Sequence, residues 1–211
     1  PVVFFHAGFS TFSGGFVGVD VFFVISGYLI TSIIINDVNE NKFSIINFYE
    51  RRTRRILPAL FFVIFFSIPF AYMWMLPSQL FDFGESLLAV TLFASNILFW
   101  MESGYFELAA ELKPLLHTWS LAVEEQFYLF FPLFVIATWR LGVKNLFIII
   151  AVLTLISLGL SEWGWRNKPG ANFYLAPTRA WELLAGSISA FIVQYKGIQR
   201  NNNLAILGLA A

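Results

Sequence analysis

The sequence predicts an all-α fold, a polytopic bundle of transmembrane helices, from three observations. Apolar residues make up 58% of the chain and charged residues only 12%, whereas soluble domains carry about 25% charged residues. Mean hydropathy is +0.73. Apolar runs of about 20 residues alternate with short polar stretches, and a run of that length can cross about 30 Å of hydrocarbon. We therefore expect a lipid bilayer as the main surroundings of the chain.

The predicted spans follow one another along residues 1–211 as one partial transmembrane domain. They are 15–35, 56–76, 86–101, 117–139, 145–161 and 171–195, with partial spans at 1–9 and 203–211. The segment Pro1–Phe5 is too short to cross a bilayer and lacks the basic residues of a signal peptide. We interpret the chain as a fragment of a longer protein, a bundle truncated at both ends.

Composition also excludes several classes of function. The formal net charge is zero and no basic patch alternates with base-stacking aromatic residues, so we expect no nucleic-acid partner. The chain contains no cysteine, which removes disulfides, thiol catalysis and cysteine-ligated metals. The two histidines, His6 and His117, lie far apart without the H-E-x-x-H spacing, so we expect no metal site.

The first complete predicted span, Gly15–Ile35, contains a single charged residue, Asp20. Small residues at its start and at Ser26-Gly27 favour a close approach of another helix. Asp20 has two interpretations. It is either an interfacial aspartate favoured by the macrodipole at a helix start, or a partner for a histidine or for a substrate hydroxyl.

The polar segment 36–55 carries the densest positive charge of the chain, at Arg51, Arg52, Arg54 and Arg55. An excess of basic residues is typical of cytoplasmic loops. Two interpretations remain open. The arginines either anchor the chain on anionic lipid headgroups, or bind a nucleotide-like ligand with several phosphates, for which the guanidinium fork is suited.

The segments on either side of this cluster carry further expectations. Residues 43–50 predict a short helix lying in the membrane interface. In the span 56–76, Pro58 falls in the first turn, where a missing N–H is harmless, and Pro69 is expected to kink the helix. The segment 86–101 is only 16 residues long, so it is short, tilted or re-entrant. Because this choice decides the parity of the crossings, the sequence leaves open on which side the later loops lie.

The stretch 117–128 places ionisable residues beside an apolar run, where they are expensive. If it is helical, steps of 100° per residue bring His117, Glu124 and Tyr128 onto one stripe, with Glu125 near its edge. The stripe is either a set of interface anchors or part of a reaction site. Further along, Arg179 and Glu182 are spaced as either a structural ion pair or a substrate contact. His6 is either an interface residue or a general base beside a polar pocket.

Six sequence blocks, in the same order, resemble the acyltransferase-3 family of bacterial membrane O-acyltransferases. They are FFHAGF (4–9), GGFVGVDVFFVISGYLIT (14–31), FYERRTRRILPAL (48–60), SNILFWMESGYF (95–106), LLHTWSLAVEEQFYLFFPL (115–133) and PTRAWELLAG (177–186). The resemblance covers nearly the whole chain.

The resemblance implies a multi-pass enzyme of the bacterial inner (plasma) membrane. Such enzymes move an acyl group, usually acetyl from acetyl-CoA, onto a hydroxyl of an envelope carbohydrate such as lipopolysaccharide O-antigen or peptidoglycan. Acyl-CoA is then a co-substrate, and no permanently bound cofactor is implied. His6 matches the family's essential histidine. The family's R-x-x-R pair, implicated in acyl-CoA use, matches both Arg51 with Arg54 and Arg52 with Arg55. Some relatives add an extracytoplasmic SGNH-type domain.

The resulting hypothesis assigns catalysis to His6, Asp20, His117 and Glu124, and acyl-CoA binding to Arg51, Arg52, Arg54 and Arg55. His6 takes the proton of the acceptor hydroxyl or briefly carries the acyl group, while the other candidates orient groups or handle protons. The alternative is a transporter or exporter of an envelope glycan or lipid, whose pathway the polar stripe and the pair Arg179–Glu182 would line.

Overall fold

A computed structural model describes residues 2–6, 8–9, 13–103 and 113–197, with only the backbone of Val3 and His6. Its secondary structure in these residues is entirely helical. In chain order the helices are α1 Val2–His6, a 3-10 turn Gly15–Val17, α2 Gly18–Asn39, α3 Ile45–Trp74, α4 Pro77–Thr91, α5 Ser95–Glu102, α6 Thr118–Trp139, α7 Val143–Asn167, α8 Pro169–Tyr174 and α9 Ala176–Lys196. In the described residues, four helices are long and apolar enough to cross a membrane: α2 with its 3-10 turn, α3, α6 and α7. The predicted all-α transmembrane bundle is confirmed.

Helices α2 and α9 run parallel in direct contact. Asp20 near the start of α2 pairs with Arg179 near the start of α9, and Asn36 near the end of α2 accepts a hydrogen bond from Gln194. At the centre, Gly27 lies against the backbone of Leu183. Small residues here allow the close helix packing that membrane proteins use in place of a hydrophobic driving force.

Helix α6 runs parallel to the same pair, and α7 runs antiparallel to it. Trp119 at the start of α6 packs edge-on against Phe23, with ring centroids 6.2 Å apart. In α7, Ser157 donates a hydrogen bond to the carbonyl of Pro177 at the start of α9, at 2.6 Å. The buried core between these helices is apolar; it consists of residues such as Ile30, Ile34, Tyr128, Phe131, Val135, Leu146, Ile150, Leu184 and Phe191.

Helices α4 and α5 form a hairpin that begins and ends at the same end of the bundle. Gln79 at the start of α4 and Glu102 at the end of α5 line one small cavity with Lys113, just before α6. The chain turns at Phe93, whose φ is +52°. The predicted span 86–101 is thus divided between the two helices of the hairpin. Just after the turn, the buried side chains of Ser95 and Asn96 form hydrogen bonds with α6, so this segment is not one continuous apolar helix.

Because this hairpin returns the chain to the end at which it began, each loop can be assigned to one of the two ends of the bundle. The arginine end comprises residues 40–44, 140–142 and 197, and the histidine end comprises α1 and residues 13–17, 113–117 and 168–175. The basic residues Lys42, Arg51, Arg52, Arg54, Arg55, Arg140, Lys144 and Lys196 are at or near the arginine end, against Lys113, Arg166, Lys168 and Arg179 at the other. The positive-inside rule therefore predicts that the arginine end is cytoplasmic.

Several helix bounds differ from the predicted ones. A separate interface helix over 43–50 is wrong, because Ser44 caps a single 30-residue helix, α3, that continues through Pro58 and Pro69. Pro58 is therefore inside the helix rather than in its first turn. Helix α7 extends six residues beyond the predicted end at 161, and the predicted span 171–195 is broken at Leu175 between α8 and α9. The predicted partial span 203–211 lies outside the described residues.

Candidate functional site

The first polar cluster lies at the histidine end, between α2 and α9. Nη1 of Arg179 is 2.9 Å from a carboxylate oxygen of Asp20 and 2.7 Å from one of Glu182. The sequence predicted the pair Arg179–Glu182, and the structure adds Asp20 to it. Asp20 and Arg179 both lie in the first turn of their helices, so parallel packing brings them to the same level.

The surroundings of this cluster hold the guanidinium in place. The Arg179 guanidinium lies 5.5 Å from the ring centroids of both Trp119 and Phe173, a cation–π arrangement. The Glu182 side chain is only 1% exposed, and its second oxygen, Oε2, is buried and has no hydrogen-bond partner among the described residues. Because two carboxylates share one guanidinium, this cluster carries an excess negative charge unless one of the carboxylates binds a proton.

Helix α1 begins close to this first cluster. The side chain of Val2 lies against Gly18, at the start of α2 and two residues before Asp20. The backbone of His6 therefore lies at the same end of the bundle as Asp20. The side chain of His6 lies outside the described residues, so its role stays a prediction.

The second polar cluster lies deeper, between α2 and α6. Ser26 and Tyr128 both donate hydrogen bonds to the same oxygen of Glu124. Glu124 is 5% exposed and Tyr128 is 4% exposed. The predicted stripe thus brings Glu124 and Tyr128 together as helical spacing requires. His117 is exposed and directly precedes α6, two helical turns before Glu124. In the described structure it is not part of the cluster formed by Glu124 and Tyr128.

Arg52 connects this second cluster to the arginine end. Its half-buried guanidinium lies 4.9 Å from the ring centroid of Tyr128 and 5.9 Å from that of Phe48. It is within electrostatic range of both Glu124 and Glu125. Like Glu182, Glu125 has a buried carboxyl oxygen, Oε1, that finds no hydrogen-bond partner in the part of the chain that the structure describes. The second cluster repeats the composition of the first, one guanidinium with two carboxyl groups.

The other arginines of the cluster face outward. Arg51 pairs with Asp37 at 3.1 Å, and Arg54 pairs with Glu50 at 2.7 Å. Arg55 is exposed. Acidic neighbours therefore partly neutralise the arginine cluster at the surface, whereas Arg52 points into the bundle.

Sequence reasoning missed the polar contacts that fix the α4–α5 hairpin. Asn96 and Gln126 hydrogen-bond each other at 2.8 Å, and Gln126 also donates to the carbonyl of Phe93. Asn96 donates to the carbonyl of Tyr174 at 3.1 Å. Polar residues inside apolar runs were the available signal, but nothing in their spacing pairs Asn96 with Gln126. In the described residues, no group of three or more candidate ligands could hold a metal ion.

Fold and site together define a multi-pass membrane protein with acid–base groups buried between its helices. Comparison with known proteins gives the family. The family model for an acyltransferase domain matches residues 2–211. The chain belongs to the acyltransferase-3 family.

Relatives of the chain include one uncharacterized protein and two O-acetyltransferases. The uncharacterized protein, from Haemophilus influenzae, is 40% identical over 208 residues, covering 89% of this chain and 82% of that protein. O-acetyltransferase OatA of Staphylococcus aureus is 37% identical over 198 residues, and peptidoglycan O-acetyltransferase OatA of Listeria monocytogenes is 34% identical over 200 residues. Each match covers 90% of this chain and 32% of the O-acetyltransferase, so the chain spans about a third of those proteins. No solved structure matches the chain.

Proposed function

We propose that this chain is part of a membrane O-acetyltransferase that moves an acetyl group from acetyl-CoA to a hydroxyl of a bacterial envelope carbohydrate. The observation that carries the proposal is the family match over residues 2–211, together with the names of the O-acetyltransferases that resemble the chain. The described geometry supports it with two acid–base clusters that lie between the histidine end and the arginine end.

Acetyl-CoA binds at the arginine end in this proposal. Its phosphates need cationic partners. The second and third turns of α3, near that end, carry Arg51, Arg52, Arg54 and Arg55. Arginine suits phosphate because its planar fork donates two parallel hydrogen bonds. The positive-inside rule makes this end cytoplasmic, which is the compartment that contains acyl-CoA.

The carbohydrate acceptor binds at the histidine end. In this proposal the thioester arm of acetyl-CoA reaches between the helices to the histidine end. There the hydroxyl oxygen attacks the thioester carbonyl, so that a C–O bond forms and the C–S bond to CoA breaks. His6 takes the hydroxyl proton as general base, or carries the acetyl group between the two substrates. The leaving thiolate takes up a proton, so the overall reaction consumes and releases none. Asp20 keeps Arg179 fixed at the same end of the bundle.

The relatives support the proposed acceptor class. The Listeria relative's name specifies peptidoglycan, and lipopolysaccharide O-antigen offers the same hydroxyl chemistry. The protein would then act in the inner membrane of the cell. A glycan or lipid exporter could use the same buried clusters, but it would form no acetyl ester.

The test is acetyl transfer by the purified full-length protein with labelled acetyl-CoA and soluble peptidoglycan fragments. His6→Ala is expected to lower the rate by about 100-fold or more, the scale of general-base catalysis, with unchanged abundance in the membrane. His117→Ala in the same protein separates the two histidines. Loss in His117→Ala alone would place the base at the start of α6, and retained transfer in His6→Ala would remove His6 from the mechanism.

A further inference from the structure

One aromatic side chain at the histidine end is exposed beside the first polar cluster. Phe173, in α8, is 45% exposed. Its ring centroid lies 5.5 Å from the guanidinium carbon of Arg179 and 4.6 Å from the ring centroid of Trp119. Trp119 itself is buried. Phe173 therefore covers the cluster on its outer side and leaves part of its own apolar surface accessible.

The two carboxyl groups that contact Arg179 differ in the same way. The side chain of Glu182 is 1% exposed, whereas that of Asp20 is 33% exposed. Asp20 accepts the hydrogen bond from Arg179 through Oδ1, and its other oxygen, Oδ2, accepts none from the described residues. A partly exposed carboxylate oxygen can accept a hydrogen bond from a hydroxyl group of a ligand. The first cluster thus offers an aromatic ring and a carboxylate oxygen on its outer side.

Arg179 fixes these two groups relative to each other. Its Nη1 donates to Oδ1 of Asp20 at 2.9 Å, and its Nε donates to the backbone carbonyl of Phe173 at 3.3 Å. On the inner side, Glu182 accepts a second hydrogen bond from Nη1, at 2.7 Å. Because the guanidinium group is planar and rigid, the ring of Phe173 and the carboxylate of Asp20 are held at a defined separation.

Side chains of neighbouring helices also hold the short helix α8, which carries Phe173. Asn96 of α5 donates to the carbonyl of Tyr174 at 3.1 Å, and Thr178 of α9 donates to the carbonyl of Asn172 at 3.0 Å. The rings of Phe173 and Tyr174 meet edge to face, with centroids 4.9 Å apart. A side chain that is fixed before its ligand arrives loses little conformational entropy on binding. The exposed ring is therefore preorganised, which a membrane-interface anchor does not require.

An exposed aromatic ring beside a carboxylate is suited to a carbohydrate. One face of a pyranose ring presents C–H bonds, whose partial positive charge is attracted by the negative face of an aromatic ring. The hydroxyl groups of the sugar donate hydrogen bonds that a carboxylate accepts. Binding sites for small molecules commonly combine aromatic surface with a few fixed polar groups in this way. An anionic ligand is disfavoured here, because two carboxylates already face one guanidinium.

We propose that Phe173 and Asp20 form a subsite for one sugar ring of the acceptor. The sugar ring stacks on Phe173, and one of its hydroxyl groups donates to Oδ2 of Asp20. The inference rests on the proposed function and adds to it the groups that select the acceptor. In this subsite Asp20 binds the substrate and takes no proton, so replacing it raises the KM for the acceptor and leaves kcat nearly unchanged.

The test is the steady-state kinetics of acetyl transfer by the purified full-length protein, with acetyl-CoA and soluble peptidoglycan fragments varied separately. Phe173→Leu keeps an apolar side chain over Trp119 but removes the ring. It is expected to raise the KM for the fragments about 10-fold, with kcat and the KM for acetyl-CoA nearly unchanged. Phe173→Tyr retains the ring and is expected to retain the wild-type KM. Asp20→Asn keeps the oxygen that faces Arg179 but replaces Oδ2 by an amide donor, and it is expected to raise the same KM about 5-fold.

Trp165→Ala is the matched control, because Trp165 is an aromatic residue near the histidine end of α7 that is 69% exposed. If Phe173 only anchors the chain at the membrane interface, Phe173→Leu will show the same KM for the fragments as Trp165→Ala and the wild type. That result would overturn the subsite while the proposed function stands. A lower kcat with an unchanged KM in Asp20→Asn would also overturn it, because Asp20 would then act in the chemical step.

The wild-type protein separates this inference from the proposed function. If it forms no acetyl ester, the proposed function fails and the subsite fails with it. Should Phe173→Leu fail to fold, Asp20→Asn decides by the same comparison of KM with kcat, since it keeps the hydrogen-bond acceptor for Arg179.

Discussion

The carbonyl oxygen of Leu183 in α9 occupies the space that a side chain on Gly27 of α2 would need. A Cβ atom at residue 27 would be 1.8 Å from that oxygen, and one at Gly186 would be 2.0 Å from the carbonyl oxygen of Val24. The two helices therefore touch backbone to backbone on both sides of the contact. This contact sets the spacing of α2 and α9, the two helices that carry the paired residues Asp20 and Arg179.

Gly27→Ala is expected to separate α2 from α9 and to lower stability strongly. Overpacking a well-packed core costs about 1–3 kcal/mol and occasionally more, and here the obstructing atoms are backbone. We expect less protein in the membrane and a lower melting temperature in detergent. Gly84→Ala is the control, because a Cβ at Gly84 meets nothing within 4 Å. Equal melting temperatures for the two variants would contradict the close contact.

Arg179→Ala is expected to destabilise the protein because it leaves Glu182 buried without its cation. Breaking a buried ion pair by removing one partner costs about 3–5 kcal/mol. Arg166→Ala is the comparison, since Arg166 and Glu162 form an exposed pair on α7, and such pairs contribute about 0–1 kcal/mol. Thermal melts of the two variants in the same detergent measure the difference. Similar melting temperatures would mean that Arg179 is not needed to neutralise Glu182 in the folded protein.

Cysteine labelling tests the hairpin of α4 and α5. In a full-length protein without other cysteines, Lys42→Cys and Leu141→Cys are expected to react from the cytoplasmic side with a membrane-impermeant maleimide. Pro114→Cys and Lys168→Cys are expected to react from the opposite side, because α4 and α5 return the chain to the end at which they began. If 86–101 crossed the membrane instead, Pro114→Cys, Leu141→Cys and Lys168→Cys would each react from the side opposite to the expected one.

The sequence predicted those parts of the fold that depend on local pattern. Long apolar runs identified α2, α3, α6 and α7, because hydrocarbon thickness sets a minimum length for a spanning helix. Helical spacing was enough to place Glu124 beside Tyr128. The hairpin could not be predicted, because the turn at Phe93 is stabilised by contacts with Gln126 on α6, which lies more than thirty residues away in sequence.

The residues of the candidate site could be grouped only from the tertiary structure, for a similar reason. Asp20 and Arg179 are 159 positions apart in the chain, and only the parallel packing of α2 and α9 brings them together. Arg52 looked equivalent to Arg51 and Arg54 by sequence. Its position on α3 turns it toward Tyr128, whereas its neighbours find carboxylates at the surface.

Asp37→Asn and Glu50→Gln are expected to tighten acyl-CoA binding if the arginine cluster holds its phosphates. Each substitution frees one arginine, Arg51 or Arg54, from a carboxylate that competes with the ligand. Both pairs are largely exposed, so losing them costs little stability. Removing one competing charge should lower Kd by about 2- to 5-fold, the equivalent of about 0.4–1 kcal/mol, and the gain should shrink as salt is added.

Glu162→Gln is the matched control for this prediction. It frees Arg166 from an exposed pair of the same spacing as Glu50–Arg54 and changes the net charge by the same amount, but at the histidine end. Competition with labelled CoA measures all three variants against the wild type. Tighter binding in Asp37→Asn and Glu50→Gln alone locates the phosphates at the arginine end. An equal gain in all three variants would indicate a general charge effect. Unchanged binding in all three would favour lipid headgroups as the partners of these arginines, because removing a carboxylate beside the true phosphate site must alter the affinity.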